Sequence, residues 1–379
     1  MAGPPGSRVN FTGGTILPVH EAVIVIADLY LQSGDLPGQP AADSDALAGF
    51  EYAGRFGERE RLGAGWRQWL AHWLGRDDLA GVSVAAVAAA ALSGGAGKDA
   101  RAATITAGGA AATCWIATPV ELVAGLTRVH LDRRGLVRLT AEEQAALADA
   151  FHRTFAGAGL ALQPLRDGQF LAVTPGIAAL ATTEPARCAG GELVVPHGPP
   201  AAPLLRLMAE IEMWLHGAAL NQARAARGAA PVTGLWLWGA AGTELPAAPE
   251  RSARTASGGR HGATAAFGSD AFVAGLLHLE GCALQPLPER PEAVFADSTA
   301  ERVLVSAAVA AELSGEEPWA LSAAAAVLDR RLIRPALRAL RDGLLGRLTL
   351  IANDTRLAVG RRSGMKRWRR PRAGLAAFA

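Results

Sequence analysis

Lysine is nearly missing from this chain. Lys98 and Lys366 are its only lysines among 37 basic residues, and arginine stands in everywhere else. Together with the abundant alanine, that usage is associated with a bacterial genome of high GC content. Cysteine is also scarce. Cys114, Cys188 and Cys282 are odd in number and far apart, which excludes a disulfide framework and any cysteine metal spacing, so a reducing cytoplasm is the expected home. Residues 1–17 lack a basic segment followed by an apolar one, so no secretory signal is expected. The apolar stretch Val82–Leu92 is too short to span a bilayer and is mostly alanine, which predicts a tightly packed core helix instead. There is no Gly-x-Ser-x-Gly elbow and no Walker A loop. No histidine lies beyond His278. With a net charge of +2, the molecule as a whole does not read as a nucleic-acid binder.

What is present suits a globular α/β protein. The 379 residues are 50% hydrophobic, enough for two or three domain-sized units. Val23–Ala27 is a continuous apolar, largely β-branched run ending at Asp28, the pattern of a buried parallel strand with a carboxylate at its C-terminal edge. That edge is where open α/β sheets bind ligands, although an aspartate there can equally cap the next turn. Residues 59–92 read as helices, with Trp66, Trp69, Leu70, Trp73 and Leu74 on one apolar face. Strands are expected at 113–117, 129–131 and 168–173, with a turn at Asp132–Gly135. Thr140 and Glu143 form a capping-box signature for a helix reaching about Phe155. A long helix is expected from Pro203 to Ala226, then a core strand at Leu235–Gly239. Further on come a helix around Phe272, a strand at 303–305, a helix over 320–340 kinked or restarted by Pro335, and an apolar strand ending at Asp354.

These elements predict a loose N-terminus over 1–17, a first core segment over 18–112 and an inserted α+β unit over 113–185. A second core segment follows over 186–360, then a basic tail over 361–379. No acidic residue follows Asp354, while eight basic ones do. The Met365–Arg370 segment is read as a solvated cationic end packing Trp368 on the core, in preference to a nucleic-acid or anionic-lipid site.

Residues 211–239, IEMWLHGAALNQARAARGAAPVTGLWLWG, resemble a stretch of the archaeal-type cofactor-independent phosphoglycerate mutases and of the related Rpf-type regulatory proteins. His216, Asn221, Arg224, Gly228, Pro231, Trp236, Trp238 and Gly239 carry the match. LDRRGLVRLTAEE at 131–143, TTEP at 182–185 and SDAFVAGLLHLEGC at 269–282 follow in the family's order. The resemblance implies a doubly wound alkaline-phosphatase-like α/β core with a small α+β insertion. It also implies two metal ions, manganese or magnesium, flanking a serine that carries the phosphoryl group. The family's metal ligands map thinly onto this chain. Asp28 fits the first position and Asp354 that of an Asp-His pair, with Thr355 in place of the histidine. Asp297 has no evident partner, Thr233 stands where the family has asparagine, and Ser83 is the nearest candidate nucleophile in an unmatched context.

The resemblance therefore implies a mutase scaffold with a degenerate metal site at Asp28 and Asp354. His216, Asn221, Arg224 and Arg227 are its candidate ligand-binding residues, for a small phosphorylated or carboxylate ligand. The role expected is regulatory binding. The alternative is an active, metal-dependent interconversion of 3-phosphoglycerate and 2-phosphoglycerate. On the residues alone, two arginines solvated at a helix end are the favoured reading, and His216 can equally be a core or capping residue.

Overall fold

A computed structural model describes residues 21–31, 46–94, 112–125, 129–242, 264–296, 300–313, 320–363 and 374–379. The expected loose N-terminus, Asp297 and the Met365–Arg370 segment lie outside the described residues. The chain begins with β1 (Glu21–Ile26), α1 (Ala48–Phe56), β2 (Glu58–Arg61), α2 (Gly65–Trp73) and α3 (Val84–Ala90). Next come β3 (Ala112–Ala124), β4 (Val129–Leu136), α4 (Ala141–Phe155), β5 (Ala161–Pro164), β6 (Phe170–Pro175), α5 (Pro185–Cys188) and β7 (Gly191–Glu192). They are followed by α6 (Ala202–His216), α7 (Ala219–Ala226), β8 (Gly234–Gly242), β9 (Thr264–Phe267), α8 (Ala271–Leu279) and β10 (Leu284–Gln285). Last are α9 (Ala293–Ala296), β11 (Arg302–Ala307), α10 (Ala320–Leu328), α11 (Arg334–Arg341), β12 (Arg347–Ala352) and β13 (Thr355–Gly360).

Seven strands form one sheet in the order β10-β9-β11-β1-β12-β13-β2. The run from β10 to β12 is parallel, and β13 turns back antiparallel to both β12 and β2. β1 sits centrally and is buried on both faces, which is why it lacks polar alternation. Ala22, Ile24 and Ile26 pack with Phe50, Leu328 and Leu337 on one face. Val23 and Val25 pack with Trp66, Leu70, Val87 and Leu276 on the other. Helices thus cover both faces.

A second, antiparallel sheet runs β5-β6-β3-β4-β7, with β8 paired to β3. It carries its own core around Trp115, Leu131, Leu147, Phe151 and Trp236. Its strands extend to Gly242, past the boundary expected at 185. The Leu235–Gly239 strand therefore belongs here and not to the parallel sheet. Its apolar run suits either place, and the long-range pairing of Leu235 with Pro119 and Trp238 with Ile116 decides between them.

The alanine-rich α3 is the core helix that its composition predicts. Ala85, Ala88 and Ala89 join the second sheet's core while Val87 and Ala90 join the first. Small side chains let α8 come close: a Cβ on Gly275 would lie 1.8 Å from the Val87 carbonyl oxygen.

Other local expectations shift for identifiable reasons. The segment expected to begin a helix at 59 is an edge strand, since β2 pairs with β13. The long helix expected over 203–226 breaks at Gly217–Ala218. The Asn221 side chain donates to the carbonyls of Leu215 and Val232 and accepts from the Val232 amide, fixing the break. The turn at Asp132–Gly135 is an outward bulge inside β4: Leu122 pairs with Leu131 and Val120 with Leu136, so Glu121 faces four residues. Pro335 restarts the late helix after a π-helical turn at Asp329–Ile333. The apolar strand ending at Asp354 turns straight back on itself, with Asn353 and Asp354 at φ of 48° and 49°, a two-residue hairpin.

Candidate functional site

The C-terminal ends of β1, β9 and β11 face the second sheet, and two cavities lie along this seam. The first encloses about 90 Å³ and includes Asp28, Arg67, Thr118, Arg138, Asp167, Gln169, Glu184, Trp238 and Asp270 in its wall. The second, about 370 Å³, shares Arg138 and adds Arg166, Ser269, Ser306, Glu312 and Arg331.

In the first cavity most polar groups hold one another. Arg67 forms a two-pronged ion pair with Glu184, at 2.8 and 2.6 Å, and its guanidinium lies over the Trp66 and Trp238 rings. Tyr30 donates to Glu184 (3.3 Å) and accepts from Trp66 Nε1, while burial pushes its phenol well above the usual range. A relay runs from the second sheet to α8. Trp238 Nε1 donates to Thr118 Oγ1, which donates to Gln169 Oε1. Gln169 Nε2 donates to Asp167 Oδ2, which also accepts from the Ala271 amide at 2.9 Å. Asp270 caps the same helix through the Val273 amide. Burial raises Asp167, and burial with the Asp167 charge raises Asp270 to about 6 despite Arg67.

The second cavity is the cationic one. Arg138 is exposed at the junction and acts on Asp28 through its charge. Arg166 donates to the Leu284 carbonyl, and Arg331 pairs with Glu312 at 2.7 Å. Among the described residues, three guanidiniums and one carboxylate, Glu312, line this space.

The residues singled out in the sequence lie in separate places. Asp28 is at the seam, but its two oxygens accept the amides of Val309 (2.5 Å) and Ala310 (2.8 Å), capping the turn after β11. Burial raises its pKa, with those amides and Arg138 opposing. Asp354 caps α2 through the Trp66 amide and pairs with Arg187 at 2.6 Å. Ser83 is the N-cap of α3, accepting the Ala86 amide. His216 is exposed at the end of α6. Asn221 holds the helix break described above. Arg224 is buried and donates to Glu143 (2.7 Å) and the Ala230 carbonyl, and Arg227 also donates to Glu143. Glu143 is the N3 residue of the capping box, which forms as its sequence predicts.

A dication such as manganese or magnesium needs several oxygen or imidazole ligands in one shell. Among the described residues, no three His, Cys, Asp or Glu side chains gather to hold one. The oxygens of Asp28 and Asp354 already serve amides and an arginine, so this residue set does not fit a two-metal site.

Sequence reasoning missed Arg67, Arg138, Arg166, Asp167, Glu184, Asp270 and Arg331 as site residues. Asp270 alone had a local signal, a capping residue before the apolar α8; the others meet only through tertiary structure.

No protein-family model and no curated protein matches the chain. Among solved structures it is similar to the cofactor-independent phosphoglycerate mutase from Thermoplasma acidophilum, at 15% identity over 90% of each chain with a TM-score of 0.35. It is also similar to the PH0037 protein from Pyrococcus horikoshii, at 13% identity over 91% of this chain and 88% of that one, with a TM-score of 0.46. Likeness at these scores assigns neither fold nor site, and the functional reading rests on the chain's own geometry. No described helix is long and apolar enough to cross a membrane.

Proposed function

We propose that this chain is a phosphoglycerate-mutase-like protein on an alkaline-phosphatase-like core that binds a small phosphorylated or carboxylate ligand in a regulatory role, its metal site having degenerated. The observation that carries the reading is the cleft at the ends of β9 and β11, where, among the described residues, Arg138, Arg166 and Arg331 face one carboxylate. Guanidinium groups present forked donors that match carboxylate and phosphate oxygens. Ser269 and Ser306 supply hydroxyls in the same wall. An anion there would be oriented by Arg138 and Arg166 and would compete with Glu312 for Arg331.

The order of elements supports the mutase-like scaffold: a central first strand ending near an aspartate, then an antiparallel unit, then the remaining parallel strands. Asp28 beside the cleft is what favours the second reading, an active mutase, since the sequence resemblance maps it onto the family's first metal position. Isothermal titration with 3-phosphoglycerate, and separately with inorganic phosphate, tests the first reading. Binding that weakens at least tenfold in Arg138→Ala supports it. Affinity unchanged in Arg138→Ala and in Arg331→Ala moves the ligand elsewhere.

A further inference from the structure

The two sheets' units meet at the N-terminus of α8, and two carboxylates meet there as well. Asp167 comes from the turn between β5 and β6 of the second sheet, and its Oδ2 accepts the Ala271 amide across the seam. Asp270 precedes α8 in the parallel-sheet unit and accepts the Val273 amide through Oδ1. The same helix end is thus capped once from each unit. We propose that Asp167 and Asp270 form a proton-sensing latch across the seam, closed when the pair holds a proton and eased when both are ionised.

The surroundings make the second charge costly. Asp270 faces Arg67 of α2, Asp167 itself and Glu184 ahead of α5. Asp28 of β1 and Arg138 beyond β4 line the same cavity. The Arg67 charge lowers Asp270, but its guanidinium is already committed in two-pronged fashion to Glu184. Burial raises Asp167 too, but it accepts three N–H groups, from Ala271 and from the Gln169 backbone and side chain, which oppose that rise. The proton therefore resides on Asp270, whose Oδ1 alone is engaged by Val273 and which burial holds at about 6.

The linkage has a definite sign. A carboxyl whose pKa is higher in the closed state than in an opened, solvated one binds its proton more tightly when closed, so closure is favoured as pH falls. With values of about 6 closed and 3.8 solvated, opening at the seam is about tenfold more frequent at ~pH 7.5 than at ~pH 5. The relay Trp238–Thr118–Gln169–Asp167 carries the state of the latch into the core of the second sheet.

Hydrogen exchange of the full chain, followed by mass spectrometry and corrected for the intrinsic pH dependence of exchange, tests the latch. Protection of 165–169 and 270–275 is expected to fall about tenfold over that range. Asp270→Ser, which keeps a capping oxygen without a charge, and Asp167→Asn are each expected to flatten the profile. A flat wild-type profile, or variant profiles as steep as the wild type, would overturn the proposal. Carbon NMR of the wild-type carboxyls needs no variant: a midpoint near 6 at Asp270 supports the latch, and both midpoints below 4.5 refute it.

Discussion

Glu143→Ala separates an internal tie from a ligand clamp at Arg224 and Arg227. The Glu143 carboxylate accepts the Thr140 amide as the second half of the capping box and pairs with Arg224 and Arg227. Burial pushes this carboxyl up, but the Thr140 amide and the two arginines outweigh it and hold it below its ordinary value. Losing the cap costs about 1 kcal/mol. Stranding Arg224, whose side chain is only 7% exposed, costs a further ~3 to 5 kcal/mol. Arg227 is half exposed, so its pair adds at most about 1 kcal/mol. Together these predict a loss of about 4 to 7 kcal/mol, measured by urea unfolding followed by circular dichroism. Glu143→Gln keeps the capping-box acceptor and should lose about 1 kcal/mol less than the alanine variant. Because the folded value is depressed, the stabilisation is present above the ordinary 4.5 and is lost as pH falls through the folded value. Adding Arg224→Met to Glu143→Ala should recover at least ~2 kcal/mol, since no charge is then stranded. A loss below about 1.5 kcal/mol in Glu143→Ala, or Arg224→Met abolishing phosphate binding in a folded protein, would refute the internal-tie reading.

Three further outcomes are expected. Asp329 is fully buried and accepts the Gly49 and Phe50 amides and Arg334 Nε, so Asp329→Ala should destabilise by about 3 to 5 kcal/mol in the same unfolding assay. Gly275→Ala places a methyl 1.8 Å from the Val87 carbonyl and should lower the melting temperature by the equivalent of ~3 kcal/mol or more, because backbone cannot yield as a side chain can. Glu312→Gln removes the carboxylate that holds Arg331 and should tighten binding of inorganic phosphate severalfold, as read by calorimetry.

Local physics made much of the fold legible. The apolar run before Asp28, the Thr140–Glu143 box, the alanine helix and the Pro335 restart all follow from interactions within a few residues. The hairpin at Asn353–Asp354 was hidden because it requires positive φ without glycine, and the apolar run before it reads as an ordinary strand end. The partner of β8 was hidden because a buried strand carries no label for its sheet. At the site, Asp28 was legible as a carboxylate at a sheet edge, but its engagement by Val309 and Ala310, far along the chain, was not. Arg224 and Arg227 stood out as a local pair, and their common partner Glu143 lies some 80 residues earlier. Arg138 and Arg166 lie in loops after β4 and β5 and Arg331 in the π-helical turn, with no shared spacing, so only the packed structure gathers them.

The proposed scaffold binds an anion without transferring a phosphoryl group. A coupled assay of 3-phosphoglycerate conversion to 2-phosphoglycerate, with and without added manganese and alongside Asp28→Ala, tests it most directly. No turnover at high protein concentration in any arm, from protein that binds 3-phosphoglycerate by calorimetry, is the predicted result. Turnover that requires both manganese and Asp28 would overturn the binding role and show that this aspartate releases its amides to hold a metal.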